Sequence, residues 1–185
     1  MSHDTLWYAV LDCKVDKITA DAVGGTTTYA AAFDVPGIKS VGLGGDVEVK
    51  EARGDNTLLS KRSFLQSISG TVEHARLSLD VLAMMLGAAV ADTGVTPNRV
   101  ATMGLLGTHN FNYWRLRART PTGGIDTLTG AGYLTAWRCI LSSFPDIGMV
   151  EEDFATVSFE FEAGPRFSDS KWIDTEVQET ATVLA

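Results

Sequence analysis

Alternation of apolar and polar positions at period two dominates the chain. An apolar run over residues 6–10 continues through Leu11 and Val15, and residues 26–33 are rich in β-branched and aromatic side chains just after the Gly24-Gly25 turn signal; both read as strands. From 41 to 53, Val47 and Val49 fall on one face and Asp46, Glu48 and Lys50 on the other, within and after the flexible Gly42-Leu43-Gly44-Gly45 run. Gly54-Asp55-Asn56 supplies turn chemistry, and residues 58–64 and 68–77 give two further segments suited to antiparallel pairing. A long hairpin over about 36–64 is predicted.

One helix is predicted, over about 78–91. Ser78 is a good N-cap, Asp80 suits the positive end of the helix dipole, and Leu79, Leu82, Leu86 and Val90 recur at three or four residues. Val81, Met84 and Met85 are apolar as well, so the helix is expected to be covered on more than one side, by a sheet and by a neighbouring subunit, with Leu82 and Met85 as interface candidates. Asp92-Thr93-Gly94 and Pro97-Asn98 then break the chain, and strand patterns resume at 100–105, 110–120, 133–144 and 155–163. Many closely spaced strands with one short helix predict a mainly β protein: a β-sandwich or barrel of two antiparallel sheets flanked by one α-helix, in a single domain over 1–167. Residues 168–185 lose the alternation and read as a C-terminal arm.

Composition narrows the function classes. Hydrophobic residues make up 45% and charged residues 21%, enough apolar material for a core. The net charge of −8 argues against a surface that grips nucleic-acid phosphates. The longest uncharged apolar stretch, 81–91, reaches only about half of the roughly 20 residues a membrane-spanning helix needs, and no basic n-region with a cleavage site is visible at the N-terminus. The expectation is a chain made in the cytosol, with no membrane partner and with Cys13 and Cys139 reduced in small apolar niches.

Catalytic arrangements do not emerge. His3, His74 and His109 are isolated, the cysteines match no zinc spacing, and His74 reads as a surface residue on a strand. There is no Gly-x-Ser-x-Gly elbow, and the glycine run at 42–45 fails the dinucleotide fingerprint because Val47 stands at the last glycine position. Glu151-Glu152-Asp153 reads as a solvated loop and Arg53-Gly54-Asp55 as a turn. No enzyme activity, metal or cofactor is expected.

Charge on strands is the more informative pattern. Arg115, Arg117 and Arg119 alternate with Trp114, Leu116 and Ala118, placing three guanidinium groups about 7 Å apart on one face. Glu160 and Glu162 alternate with Phe159 and Phe161 in the same way. Like charges along one strand face need solvent or a partner of opposite sign, so the stripes are either solvated faces or complementary subunit faces. Arg115, Arg117, Arg119, Glu160 and Glu162 are therefore subunit-interface candidates.

Taken in order, residues 6–12, the segment 45–64 with Arg53-Gly54-Asp55-Asn56, the helix at 79–87 and the Phe-rich strand at 157–161 resemble the major tail tube protein of long-tailed, siphovirus-type bacteriophages. The resemblance spans nearly the whole chain. It implies a virion structural protein forming stacked hexameric rings, a tube through which DNA leaves the capsid for the host, with the hairpin and terminal arm touching neighbouring subunits and the next ring. It implies as partners other copies of itself, a tape-measure protein, a tail terminator and distal tail proteins, with location in the virion tail and, during assembly, the host cytoplasm. Carried onto this chain, it makes 41–53 and 58–77 the hairpin and inner strands and Asp46, Glu48, Glu51, Asp55 and Glu73 the lumen-lining candidates. Duplex DNA carries a charge about every 1.7 Å, so a conduit for rapid passage, without specific binding, calls for an acidic or neutral wall. Arg115, Arg117 and Arg119 are then expected to face a neighbour or the outer surface, and replacing all three by Glu to block assembly.

Two other readings compete. A tube subunit of a contractile injection or type VI secretion system shares the architecture, and a sheath gene nearby would separate it. A β-sandwich carbohydrate-binding module would use exposed Tyr113 and Trp114 and remain a small oligomer.

Overall fold

The computed structural model describes residues 9–54, 57–76, 78–121, 130–148, 156–178 and 180–184. In chain order they form β1 (Asp12–Ala20), β2 (Thr28–Tyr29), β3 (Phe33–Asp34), β4 (Ile38–Gly54), β5 (Thr57–His74), α1 (Leu79–Leu86), β6 (Val90–Thr93), β7 (Val100–Met103), β8 (Trp114–Arg119), β9 (Ala131–Leu141), β10 (Asp146–Ile147), β11 (Val157–Gly164) and β12 (Ile173–Gln178). Ten strands make one antiparallel sheet with the path β2-β1-β8-β9-β11-β5-β4, joined by β3 on β1, β12 on β9 and β10 on β11; β6 and β7 form a separate two-stranded ribbon. This is the mainly β class with two antiparallel sheets and one helix, the sheets being very unequal in size.

Period-two patterning sets the faces. Trp114, Leu116 and Ala118 on β8, Phe159, Phe161 and Ala163 on β11, and Ile68, Val72 and His74 on β5 all point inward and are buried. Val81, Leu82, Met84, Met85 and Leu86 of α1 join the same cluster, as do Val15 of β1 and the half-buried Val41 and Leu43 of β4. Both ends of the strand path feed one core, so the sheet is curled around it. Gly70 permits this approach, because a Cβ there would overlap the Phe161 ring and Leu43.

The helix is shorter than its periodicity predicts. Ser78 Oγ accepts from the Val81 N–H as expected of an N-cap, but Gly87 adopts the left-handed conformation (φ 71°) and its N–H returns to the Ala83 carbonyl. A side chain at Gly87 would overlap the Asn110 carbonyl oxygen, so the stop is built in, and residues from Val90 enter β6 instead. All the apolar residues 81–86 are buried within the chain, including Leu82 and Met85. These two are therefore core residues, unavailable to a neighbouring subunit unless the fold opens. The helix is apolar on several sides because the sheet, β3 and the ribbon surround it.

The terminal segment expected as an arm is partly a strand, since β12 pairs with β9 from Ile173↔Ala136 to Gln178↔Ala131. Its pattern is hidden in sequence because most of its side chains stay exposed or half-buried; backbone pairing, not burial, defines it.

Candidate functional site

Three surface features stand out: a protruding hairpin, an acidic sheet face and an arginine-rich face. The hairpin is the junction of β4 and β5, paired from Ile38↔His74 to Gly54↔Thr57. Among the described residues only 68–74 of β5 also pair with β11, and beyond Asp46 and Ser67 no third strand pairs with the two, which continue for about 25–30 Å, taking 3.3 Å per residue. Val47, Val49, Phe64 and Leu65 are all exposed along this stretch. Val47 pairs with Leu65 and Val49 with Ser63, which puts an apolar strip on one face; Glu48 pairs with Phe64 on the other.

The acidic face is assembled from three strands. On β5 the outward residues are Ser69, Thr71 and Glu73; their partners on β11 are Glu162, Glu160 and Ser158, and on β4 they are Gly44, Gly42 and Ser40. The next outward pair is Asp46 with Ser67. Glu73, Glu160, Glu162 and Asp46 thus share one exposed face otherwise made of glycine, serine and threonine, so it is flat as well as negative. Their neighbours are hydroxyls: Ser40 Oγ donates to Glu73 Oε2 (3.2 Å), Ser143 Oγ to Glu160 Oε2 (3.4 Å) and Ser67 Oγ to Asp46 Oδ2 (3.5 Å). Among the described residues no Lys or Arg side chain forms an ion pair with any of the four.

This regroups the residues nominated from sequence. Glu160 and Glu162, expected at an interface, join Glu73 and Asp46 on the same face. Glu48 continues that face onto the hairpin, where it pairs with Lys50 (3.6 Å). Glu51 lies on the opposite, valine-bearing face and is neutralised by Lys61 and Arg53, each at 3.0 Å, which hold its carboxyl below the usual range. Glu51 is therefore no companion of the other four. Asp55 lies outside the described residues.

The arginines are held from within the chain. Asp16 on β1 is fully buried (1% exposed); Arg115 Nε donates to its Oδ2 and Arg117 Nη2 to its Oδ1, both at 2.8 Å. The guanidinium of Arg115 also lies over the Tyr29 ring at 3.8 Å. Two residues of β9, Trp137 and Arg138, oppose Arg115 alone, because the β8–β9 register shifts between Trp114 and Leu116. Arg166 covers Trp137 at 3.9 Å, and Arg138 lies between Tyr113 and Phe167 at 4.0 and 4.1 Å. Arg119 Nη1 donates to the Thr182 carbonyl (2.8 Å). These residues do lie on the outward face of β8, but Asp16 and the C-terminal segment are their partners here. Reversing the charge of all three would break the Asp16 pairs inside the chain, so that substitution does not isolate an assembly contact.

Asp16 was missed in sequence because it lies 99 residues from Arg115, and its signal is weak: one acid in a strand opposite an arginine row. Two further expectations fail on side-chain direction. His74 is buried, not on the surface, because it shares the inward parity of Val72; its Nδ1–H donates to the Arg76 carbonyl (2.5 Å) and its ring meets Phe159 edge-on. Burial lowers its pKa. Trp114 is completely buried and packs edge-on against Phe159 and Phe161, so it cannot join the exposed Tyr113 in a sugar platform, and the Tyr113 ring is itself stacked by Arg138.

Among the described residues no cluster of three or more His, Cys, Asp or Glu side chains is placed to hold a metal ion. Cys13 and Cys139 are free and buried, and burial pushes both thiols far above their ordinary range, which keeps them protonated.

No protein-family model matches the chain, and no curated protein sequence does. Among solved structures, the chain is similar to one in the cryo-EM structure of the anti-feeding prophage (AFP) baseplate, 6-fold symmetrised, over 96% of this chain and 97% of that one, with 10% identity and a TM-score of 0.45. Those values carry no transfer of function.

Proposed function

We propose that the chain is a non-catalytic structural subunit of a phage-tail-like particle, and specifically the subunit of its tube. Copies would close into rings of about six-fold symmetry, stack, and enclose a conduit for DNA, with Asp46, Glu73, Glu160 and Glu162 on the wall. The observation that carries the reading is the flat acidic face bordered by a free edge and a bare hairpin. A negative, smooth, cation-poor surface repels a polyanion and offers it no side chains to catch on. Among the described residues β4 ends the strand path and no strand pairs with its outer edge, a template that a second copy can complete. The hairpin beyond Asp46 is a two-stranded ribbon with exposed valine, leucine and phenylalanine, which gains its stability from a partner.

On this reading the tape-measure, terminator and distal tail proteins meet the ends of the tube, and a subunit of a contractile injection system is the same design with a sheath outside. Sedimentation velocity over a wide range of concentration tests it. A boundary that moves from the single chain to large, discrete species supports assembly; one slow boundary at every concentration removes it.

A further inference from the structure

Lys14 and Arg119 each stand opposite an aspartate on the sheet, yet neither pairs with it. The register sets Asp12 against Arg119 and Asp34 against Lys14, and residues directly opposite on neighbouring strands share a face with Cβ atoms about 5 Å apart. Among the described residues neither cation forms an ion pair. Both donate instead to the segment 180–184: Arg119 Nη1 to the Thr182 carbonyl at 2.8 Å and Lys14 Nζ to the Leu184 carbonyl at 2.5 Å. Tyr133 O–H donates to the same Thr182 carbonyl (2.7 Å), and Leu184 is buried against Ala131 and Tyr133 in a small cluster separate from the main core.

With the cations turned away, the two aspartates are left to each other. Partial burial, the charge of Asp12 and a hydrogen bond between the two carboxyls raise the pKa of Asp34, against a smaller opposing effect of Lys14. Such a bond needs a proton held between the carboxyls. The docked arrangement also leaves Arg119 Nε buried and, among the described residues, without a hydrogen-bond partner. If 180–184 detach, each cation can turn to the carboxylate opposite it, and both aspartates are then ionised. Detachment gives up one sizeable apolar side chain and nothing of the main core, so the rest need not unfold. The other charged groups on this face, Arg115, Arg117 and Asp16, pair with one another; beneath it the Cys13 thiol, raised by burial and then by Asp12 and Asp34, stays protonated. Residues 180–184 carry no titratable side chain.

We propose that residues 180–184 form a proton-linked latch, docked while Asp12 and Asp34 share a proton and released when both ionise and pair with Arg119 and Lys14. The latch belongs to the single chain and does not depend on assembly. The docked state binds the extra proton, so acid favours docking. That contribution is full below the ordinary carboxylate value of 3.8 and is lost as pH rises through the raised value of Asp34.

Amide hydrogen exchange on the full-length chain, corrected for the intrinsic pH dependence of exchange, tests this at the Thr182 N–H, which donates to Tyr133 Oη (2.6 Å). Its protection, referred to that of β8 and β9, should rise from about pH 7 to about pH 4, by at most about tenfold per pH unit for one linked proton. Asp34→Asn keeps a hydrogen-bonding group of the same shape without the charge, and should give the high protection of the acid form at both pH values. Asp12→Asn removes the charge that raises Asp34 and should shrink the pH response. Equal protection of the unsubstituted chain at both pH values overturns the latch, as does a pH response that survives in Asp34→Asn. Exchange at Thr182 that only follows β8 and β9 overturns it too, because the segment then does not detach by itself.

Discussion

Asp16 is a buried acid with two arginine partners. It is buried beneath two arginines that are themselves only 16–17% exposed, and it supplies an oxygen to each. Asp16→Asn keeps the shape but removes the counter-charge, and should cost about 2–4 kcal/mol in urea unfolding, the range for leaving buried charge uncompensated. His74 gives a second test. Its buried ring is neutral, with Nε2 lacking a partner among the described residues, so ionisation is disfavoured and the folded-state pKa lies below the ordinary 6.5. The folded state therefore holds the full benefit above pH 6.5 and loses it as pH falls through the depressed value. Unfolding free energy should drop as pH falls below about 6.5, and His74→Leu should flatten the His-dependent part of that slope. Both residues show what local pattern conveys. The parity that placed Phe159 inward and Glu160 outward also placed His74 beside Val72, and following parity over residue type would have found it. The pairing of Asp16 with Arg115 depends on which strands become neighbours, which alternation does not specify.

At the scale of elements, the hairpin was legible as a hairpin because turn chemistry at Gly54 follows an alternating strand. Its reach was not, because the point where β11 stops pairing with β5 is a tertiary fact. The C-terminal strand escaped notice for a related reason: it is an added edge strand with little to bury. Among the described residues the extended part of the hairpin has no further sheet neighbour, so in the free chain its amides should exchange much faster than those at 68–74, and assembly should slow them to a comparable level. Equal protection of the two parts before and after assembly would contradict a partner-dependent arm. Val47→Asp with Leu65→Asp should leave the thermal midpoint of the single chain nearly unchanged, because both side chains are already exposed, and should abolish polymer in sedimentation.

For the whole molecule, the fold resolves where charge is balanced and where it is not. Arg115 and Arg117 are compensated by Asp16 inside the chain, and among the described residues the acidic face has no cationic partner. Sequence spacing identified both stripes but divided the acids between a lumen and an interface, because it could not show that β4, β5 and β11 lie side by side. If the acidic face lines a conduit, Glu73→Lys, Glu160→Lys and Glu162→Lys together should leave polymer formation intact and make the polymer retain duplex DNA at low salt, with retention falling steeply as salt rises. Unaltered DNA passage or retention would place that face elsewhere.

Electron microscopy in negative stain, applied to the purified full-length chain at high concentration, addresses the assembly most directly. The account predicts closed rings of about six-fold symmetry, or tubes, with an open centre. Solitary particles at every concentration would contradict it.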